Sequence, residues 1–203
     1  MAPIVTEEHK ENRRKKILES ALVCFSEKGF EAATIDDIVA LSGISKGSIY
    51  NYFKTKDDIY VQLMNEYTHL NFEHFKKSFR DLASVKEKIH YLFDLYKNAG
   101  GKEKAKHLLL VHGEFFLSSS RKEENHTLVL ERYRNVYKRF LIDLLESGKN
   151  TGEISNTVNS DIAASFFWTM IDGICLDHAV LGANYPFSGV FEKAEEVFFQ
   201  MIQ

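Results

Sequence analysis

Cysteine and proline are scarce in this chain of 203 residues, with two of each. Cys24 and Cys175 stand far apart in apolar sequence, so they supply neither a disulfide framework nor a metal site; both read as buried thiols in a reducing compartment. Also missing are a glycine-rich phosphate loop, a nucleophile elbow and a CxxC pair. Eight histidines are present, but His107 and His112 lie five apart, off the four-residue spacing that puts two ligands on one helical face, and the adjacent Asp177 and His178 diverge. The expectation is a protein that is not an enzyme and carries no metal or other cofactor. The opening stretch "MAPIVTEEHKENRRKK" holds no apolar run of the secretory kind, which points to a cytoplasmic protein. One long greasy segment, residues 162–182, contains Asp172, Asp177 and His178; each charge at bilayer depth costs about 3 kcal/mol, so a buried or interface helix is expected and no membrane partner.

What is there suits an ordered, helix-rich fold. Hydrophobic residues make up 44% and charged residues 27%, too apolar for disorder, and the length allows one sizeable domain or two smaller ones. The net charge of −3 is unevenly spread. Residues 1–56 hold nine Lys/Arg against eight Asp/Glu, net +1, whereas the remainder holds seventeen against twenty-one, net −4. Any nucleic-acid footprint, being local, belongs at the N-terminal end.

Apolar spacing predicts helices nearly everywhere and no strand. Ile17, Ala21, Cys24 and Phe25 form one stripe, closed by Gly29. Thr34, with Asp37 three residues on, opens a short second helix backed by Ile35, Ile38 and Val39. Ser45 caps a third, pinned from behind by Ile44, Ile49 and Phe53. Thr55 caps a fourth, with Asp57 and Asp58 in the first turn, where the helix dipole favours negative charge. On that helix Ile59, Leu63, Tyr67 and Leu70 share a face, with Phe72, Phe75, Phe79 and Leu82 roughly 160° round from them. It is read as a bridge between two cores, spanning about 56 to 81, so that 1–56 and 57–203 are the expected domains. Further helices are expected near 84–98, 103–119, 122–148, 160–182 and 189–202.

Two short helices joined at Gly43, the second presenting small and polar groups, have the layout of a helix-turn-helix whose second helix enters the major groove. Gly47 sits inside that second helix, where glycine costs about 1 kcal/mol, and leaves room for a close backbone approach. The sequence "ILESALVCFSEKGFEAATIDDIVALSGISKGSIYNYFKTKDDIYVQLM", residues 17–64, closely resembles the DNA-binding region of TetR-family transcriptional regulators, notably in "SGISKGSIYNYF" and "KTKDDIY". The resemblance implies an all-α homodimer, with a three-helix helix-turn-helix domain followed by a larger helical domain that binds a small-molecule effector and dimerises through its last two long helices. The partners it implies are a double-stranded, palindromic DNA operator and that effector, and repression is the mode it suggests.

Carried across residue by residue, Thr34 resembles a phosphate-contacting cap, and Ser45, Lys46 and Ser48 match base and backbone contacts beside Gly47. Tyr50 and Tyr52 resemble the phosphate-clamping aromatics, and Lys56 the basic residue opening helix four. Asn51 either reads adenine through its amide or is simply solvated; "RRKK" at 13–16 either touches phosphate or is a solvated helix face. The effector pocket is expected around Phe72, Phe75, Phe79, His112, Glu114, Phe115, Phe116, Trp168 and Asp172, although aromatics at helical spacing are also what a plain core looks like. Asp172 inside an apolar helix must be paired, protonated or open to a cavity, and with the aromatics it would suit a lipophilic or cationic ligand. Phe166, Phe167, Ile171, Ile174, Val197, Phe198 and Met201 are the expected dimer seam. The rival is a helical ligand or partner module that has lost operator binding, against which the joint presence of Lys46, Gly47, Tyr50, Tyr52 and Lys56 speaks.

Overall fold

The computed structural model describes residues 7–100, 102–119, 127, 130–131 and 133–203, among which there is helix and no strand. The chain divides into two compact units, Met1–Phe75 and Lys76–Gln203.

In the first unit, α1 (Glu7–Lys28) buries Ile17, Leu18, Ala21, Leu22, Cys24 and Phe25, the stripe its spacing dictates. Gly29 ends it in the left-handed region, φ 82°, with its N–H on the Phe25 carbonyl at 2.9 Å. Phe30 then folds back edge-on to Phe25 and Tyr60, with ring centroids 5.2 and 5.6 Å away. A complete capping box between Thr34 and Asp37 starts α2 (Ile35–Ser42), and Gly43 at φ 66° stops it. Ser45 caps α3 (Lys46–Tyr50) by accepting the Ser48 N–H. The Asp58 N–H rests on the Thr55 hydroxyl at the start of α4 (Lys56–Ser78). That helix buries Ile59, Tyr60, Leu63, Met64, Thr68 and Phe75. Leu70 departs from the expected stripe: it continues the angular face but is 54% exposed.

The second unit contains α5 (Val85–Ala99), α6 (Glu103–Ser119), a π turn at Tyr133–Lys138, α7 (Arg139–Thr151), α8 (Ser160–Leu181) and α9 (Phe187–Ile202). The helix expected from 122 is seen only from its later part, since residues 120–126 lie outside the described ones; α7 runs three residues past the expected end at 148. Helix α5 starts with a second capping box, Ser84 with Glu87, and Glu153 from the turn after α7 also accepts the Val85 and Lys86 N–H groups. Helix α8 packs against α5, α6, α7 and α9. The core between them is aromatic, with Phe93 centroids 5.0 Å from Phe167 and 5.9 Å from Phe198. Residues Ser160–Asn184 are long and apolar enough to cross a membrane by length and composition; here they form a helix and a short 3-10 turn, with one face of the helix inside this core.

Candidate nucleic-acid interface

Helix α3 is five residues long and held from one side only. Ile44, Ile49 and Phe53 are buried at 4%, 0% and 2% exposure, while Ser45, Lys46, Gly47, Tyr50 and Asn51 face solvent and Ser48 and Tyr52 are half-buried. The apolar positions fix the helix against the unit; the remaining positions are left as an open polar face. The hydroxyls of Ser45 and Ser48 bond each other at 3.0 Å, and the Asn51 N–H closes the helix on the Ser48 carbonyl. The Asn51 amide has no side-chain partner among the described residues, so both readings of it stand.

Gly47 is exposed, and a Cβ built there would meet nothing within 4 Å. The chain's own packing therefore does not require glycine, although glycine weakens a helix. Lys46 reaches back to Asp36 on α2 at 2.8 Å, and both groups remain largely in water. The hydrogen bond to Asp36 raises the Lys46 pKa, keeping it a cation at any relevant pH. Asp37 is held down to about 2, first by its bond to Lys28 and then by Thr34, so the α2 cap stays ionised.

In the structure Lys56 braces the connection between α1 and α2. Its ammonium donates to the carbonyls of Phe30, Glu31 and Ala33 at 2.5, 3.0 and 2.9 Å and lies 4.6 Å from the Phe30 ring centroid. An ammonium has three donors, and here each meets a carbonyl of the α1–α2 connection. Arg14 is likewise engaged, with Glu11 and with Glu66 of α4 at 3.0 and 2.8 Å, whereas Arg13, Lys15 and Lys16 are exposed. Apart from Glu11, three residues from Arg14, no spacing rule would have revealed these partners, because they lie 23 to 52 residues away.

The expected effector residues are divided between the two units. Phe72 and Phe75 fall in the first unit, with their rings 5.5 Å apart and Phe75 buried. In the second unit Phe115 and Trp168 are core residues, Phe116 is exposed, and His112 is half-buried beside it. Phe79 and Glu114 are half-buried. Trp168 donates its indole N–H to the Tyr137 carbonyl and is met edge-on by Tyr96 and Tyr137. Asp172, four residues on, is an exposed residue with no hydrogen-bond or ion-pair partner among the described residues, and the protein around its carboxyl raises its pKa to about 6. The sequence did not point to Tyr96 and Tyr137, which come from other elements.

The expected dimer seam also splits. Phe167, Ile171, Ile174 and Phe198 are inside the unit's own core, where Phe167 packs on Phe93 of α5 and on Phe198. Phe166 and Met201 are exposed and Val197 half-exposed. The outward face of α8 adds Ile162, Leu176 and Val180, the last 69% exposed. Their spacing of three or four residues was readable, but α8 is apolar on both sides, which hides the outward stripe behind the core one.

Known proteins share both the sequence and the fold. Residues 17–63 match the family described as bacterial regulatory proteins, tetR family, and residues 89–185 match the tetracyclin repressor-like C-terminal domain. An uncharacterized HTH-type transcriptional regulator, YfiR of Bacillus subtilis, is 32% identical over 174 residues, covering 86% of this chain and 83% of that one. Among solved structures, the transcriptional regulator FadR from Bacillus subtilis in complex with stearoyl-CoA superposes with a TM-score of 0.79 at 21% identity, covering 93% and 99% of the two chains. A putative transcriptional regulator from Saccharomonospora viridis in complex with choline gives 0.80 at 18% identity, covering 95% and 98%. With the helix-turn-helix, the all-helical second unit and relatives that are regulators and not enzymes, this chain belongs to the TetR family of bacterial DNA-binding transcriptional regulators.

Proposed function

We propose that the protein is a ligand-responsive repressor that binds a palindromic double-stranded DNA operator as a homodimer in the cytoplasm. The observation that carries this reading is the contrast across α3: three apolar residues buried to within a few per cent, and opposite them an open face of Ser45, Lys46, Gly47, Tyr50 and Asn51. Gly47 strengthens it, since the room it leaves is used by nothing in the chain itself and suits a nucleic-acid backbone. Thr34, Tyr50 and Tyr52 would contact phosphate and position the protein, Ser45 and Ser48 would contact base edges or backbone, and Lys46 and Asn51 would read sequence. Lys46 would exchange Asp36 for DNA on binding.

In this reading residues 1–56 form the DNA-binding domain, 57–203 the effector and dimerisation domain, and α4 joins the two. The exposed apolar stripe of Ile162, Phe166, Leu176 and Val180, with Met201 and Val197 on α9, is the surface a second copy would cover. The neighbours bound to stearoyl-CoA and to choline support a small-molecule effector in the second unit. A ligand that prefers the non-binding conformation by a few kcal/mol is enough to release DNA.

Selection of bound duplexes from a random-sequence pool, followed by titration of the best site over a range of salt, tests the proposal. Enrichment of a palindrome with half-sites about one helical turn apart is the expected result. Lys46→Ala and Tyr50→Ala should each weaken that site by about tenfold or more. Weak, steeply salt-dependent binding without a consensus, unchanged by either substitution, would leave only a ligand or partner module.

A further inference from the structure

We infer that Asp36 is a specificity-determining residue of the DNA interface: its carboxylate holds Lys46 until DNA arrives, and once released it requires an exocyclic amino group, cytosine N4 or adenine N6, at one point of the major groove. The inference rests on the DNA-binding reading and adds to it a residue from outside the recognition helix.

Asp36 and Asp37 stand side by side in the first turn of α2, but the cap uses only one of them. Asp37 completes the capping box, accepting the Thr34 N–H at 2.9 Å and the Thr34 hydroxyl at 2.7 Å, and its other oxygen meets Lys28 at 2.6 Å. Asp36 takes no part in the box. Among the described residues the partner of its carboxylate is Lys46, ten residues on, whose ammonium donates to Oδ2 at 2.8 Å. The fold gains little from this pair, because the Lys46 and Asp36 side chains remain 50% and 70% exposed, and ion pairs in water are weak.

The pair matters for where it stands. Lys46 belongs to the open face of α3, with Ser45, Gly47, Tyr50 and Asn51, so a carboxylate in contact with its ammonium lies at the edge of that face. Residues 1–56 carry a net charge of only +1, and an exposed negative charge at this edge opposes the approach of phosphate. A protein that merely held DNA would do better without it.

The donors and acceptors of a duplex show what Asp36 can gain. A carboxylate only accepts hydrogen bonds. When Lys46 turns to DNA, Asp36 loses its partner, and the sugar–phosphate backbone offers it no donor. In the major groove the donors are the amino groups of cytosine and adenine. A sequence that places one of them opposite Asp36 replaces the bond lost to Lys46. A sequence that places guanine O6 or thymine O4 there leaves the carboxylate facing another acceptor. Asp36 therefore acts chiefly by penalising wrong sequences. Asp37 cannot substitute for it, since both of its oxygens are committed.

The full-length protein and its Asp36→Ala variant are each used to select duplexes from a random-sequence pool, then titrated on the wild-type consensus and on a scrambled duplex of the same composition. The variant should bind the scrambled duplex about tenfold more tightly and gain less on the consensus. Its salt slope on the scrambled duplex should steepen by about one per subunit, as the freed Lys46 takes a phosphate. The wild-type pool should show cytosine or adenine at one position of each half-site where the variant pool shows no preference, and the base found there identifies the amino group. An unchanged ratio of the two affinities or the same consensus from both pools would overturn the inference. So would equal weakening on both duplexes with a lowered melting temperature, the result expected of a mere brace for α3. Failure of the DNA-binding reading itself looks different: the wild-type protein then enriches no consensus, and the role of Asp36 falls with it.

Discussion

The two units are built by different kinds of information. In the first, every turn from α1 to α4 is fixed by a nearby residue: Gly29 and Gly43 in the left-handed region, Thr34 with Asp37, Ser45 and Thr55 as caps. In the second, neighbouring residues of the same type have opposite fates. Phe166 is 38% exposed and Phe167 fully buried, and only the packing of α5 and α9 on α8 separates them. Local capping can be read one turn at a time; the choice of which apolar face goes inside cannot, when the helix is apolar on both.

That contrast can be tested from its strongest point downward. Phe167→Ala opens a cavity among Phe93, Trp168 and Phe198 and should lower stability by about 3–5 kcal/mol in urea unfolding. Phe166→Ala should cost less than about 1 kcal/mol of unfolding free energy at low protein concentration, yet weaken self-association in sedimentation. Equal unfolding costs would mean that the two faces of α8 have been distinguished wrongly.

In the first unit, Lys56→Met strips three carbonyls of their donor and should destabilise the protein by about 1–3 kcal/mol, with the salt dependence of DNA binding unchanged. A salt slope reduced by about one, with stability intact, would return Lys56 to the phosphate contacts. Thr34→Ala removes half of a capping box and should cost about 1 kcal/mol in thermal unfolding.

The smallest effect belongs to Asp172. Its pKa is raised on folding, so the folded state binds the proton more tightly than the unfolded chain, and stability falls as pH rises from about 4 to about 6. Asp172→Asn should therefore stabilise the protein at pH 7 and lose that advantage below about pH 4. Because water reaches the carboxylate, the gain should be under about 1 kcal/mol, well short of what the shift would give in a dry interior. Melting curves of both proteins across that range decide it.

Much of the candidate DNA-contacting face was legible beforehand because its logic is local. Ile44, Ile49 and Phe53 had to face inward at helical spacing, and the structure buries all three. The acceptors of Lys56 were not legible, because the motif records a basic residue while they come from the α1–α2 connection. Asp172 was legible as a carboxylate in a greasy helix, but folding alone decided that it is exposed while Trp168, one turn earlier, is buried against Tyr96 and Tyr137.

The sequence by itself determined the all-helical class, the helix ends and the helix-turn-helix, because caps, left-handed glycines and the 3.6-residue period act over a few residues and need no partner. The tertiary structure alone decided which aromatic residues became core and which apolar ones remained as an exposed stripe. Those outcomes depend on what covers each face, and burial energy has no direction until a second element supplies one.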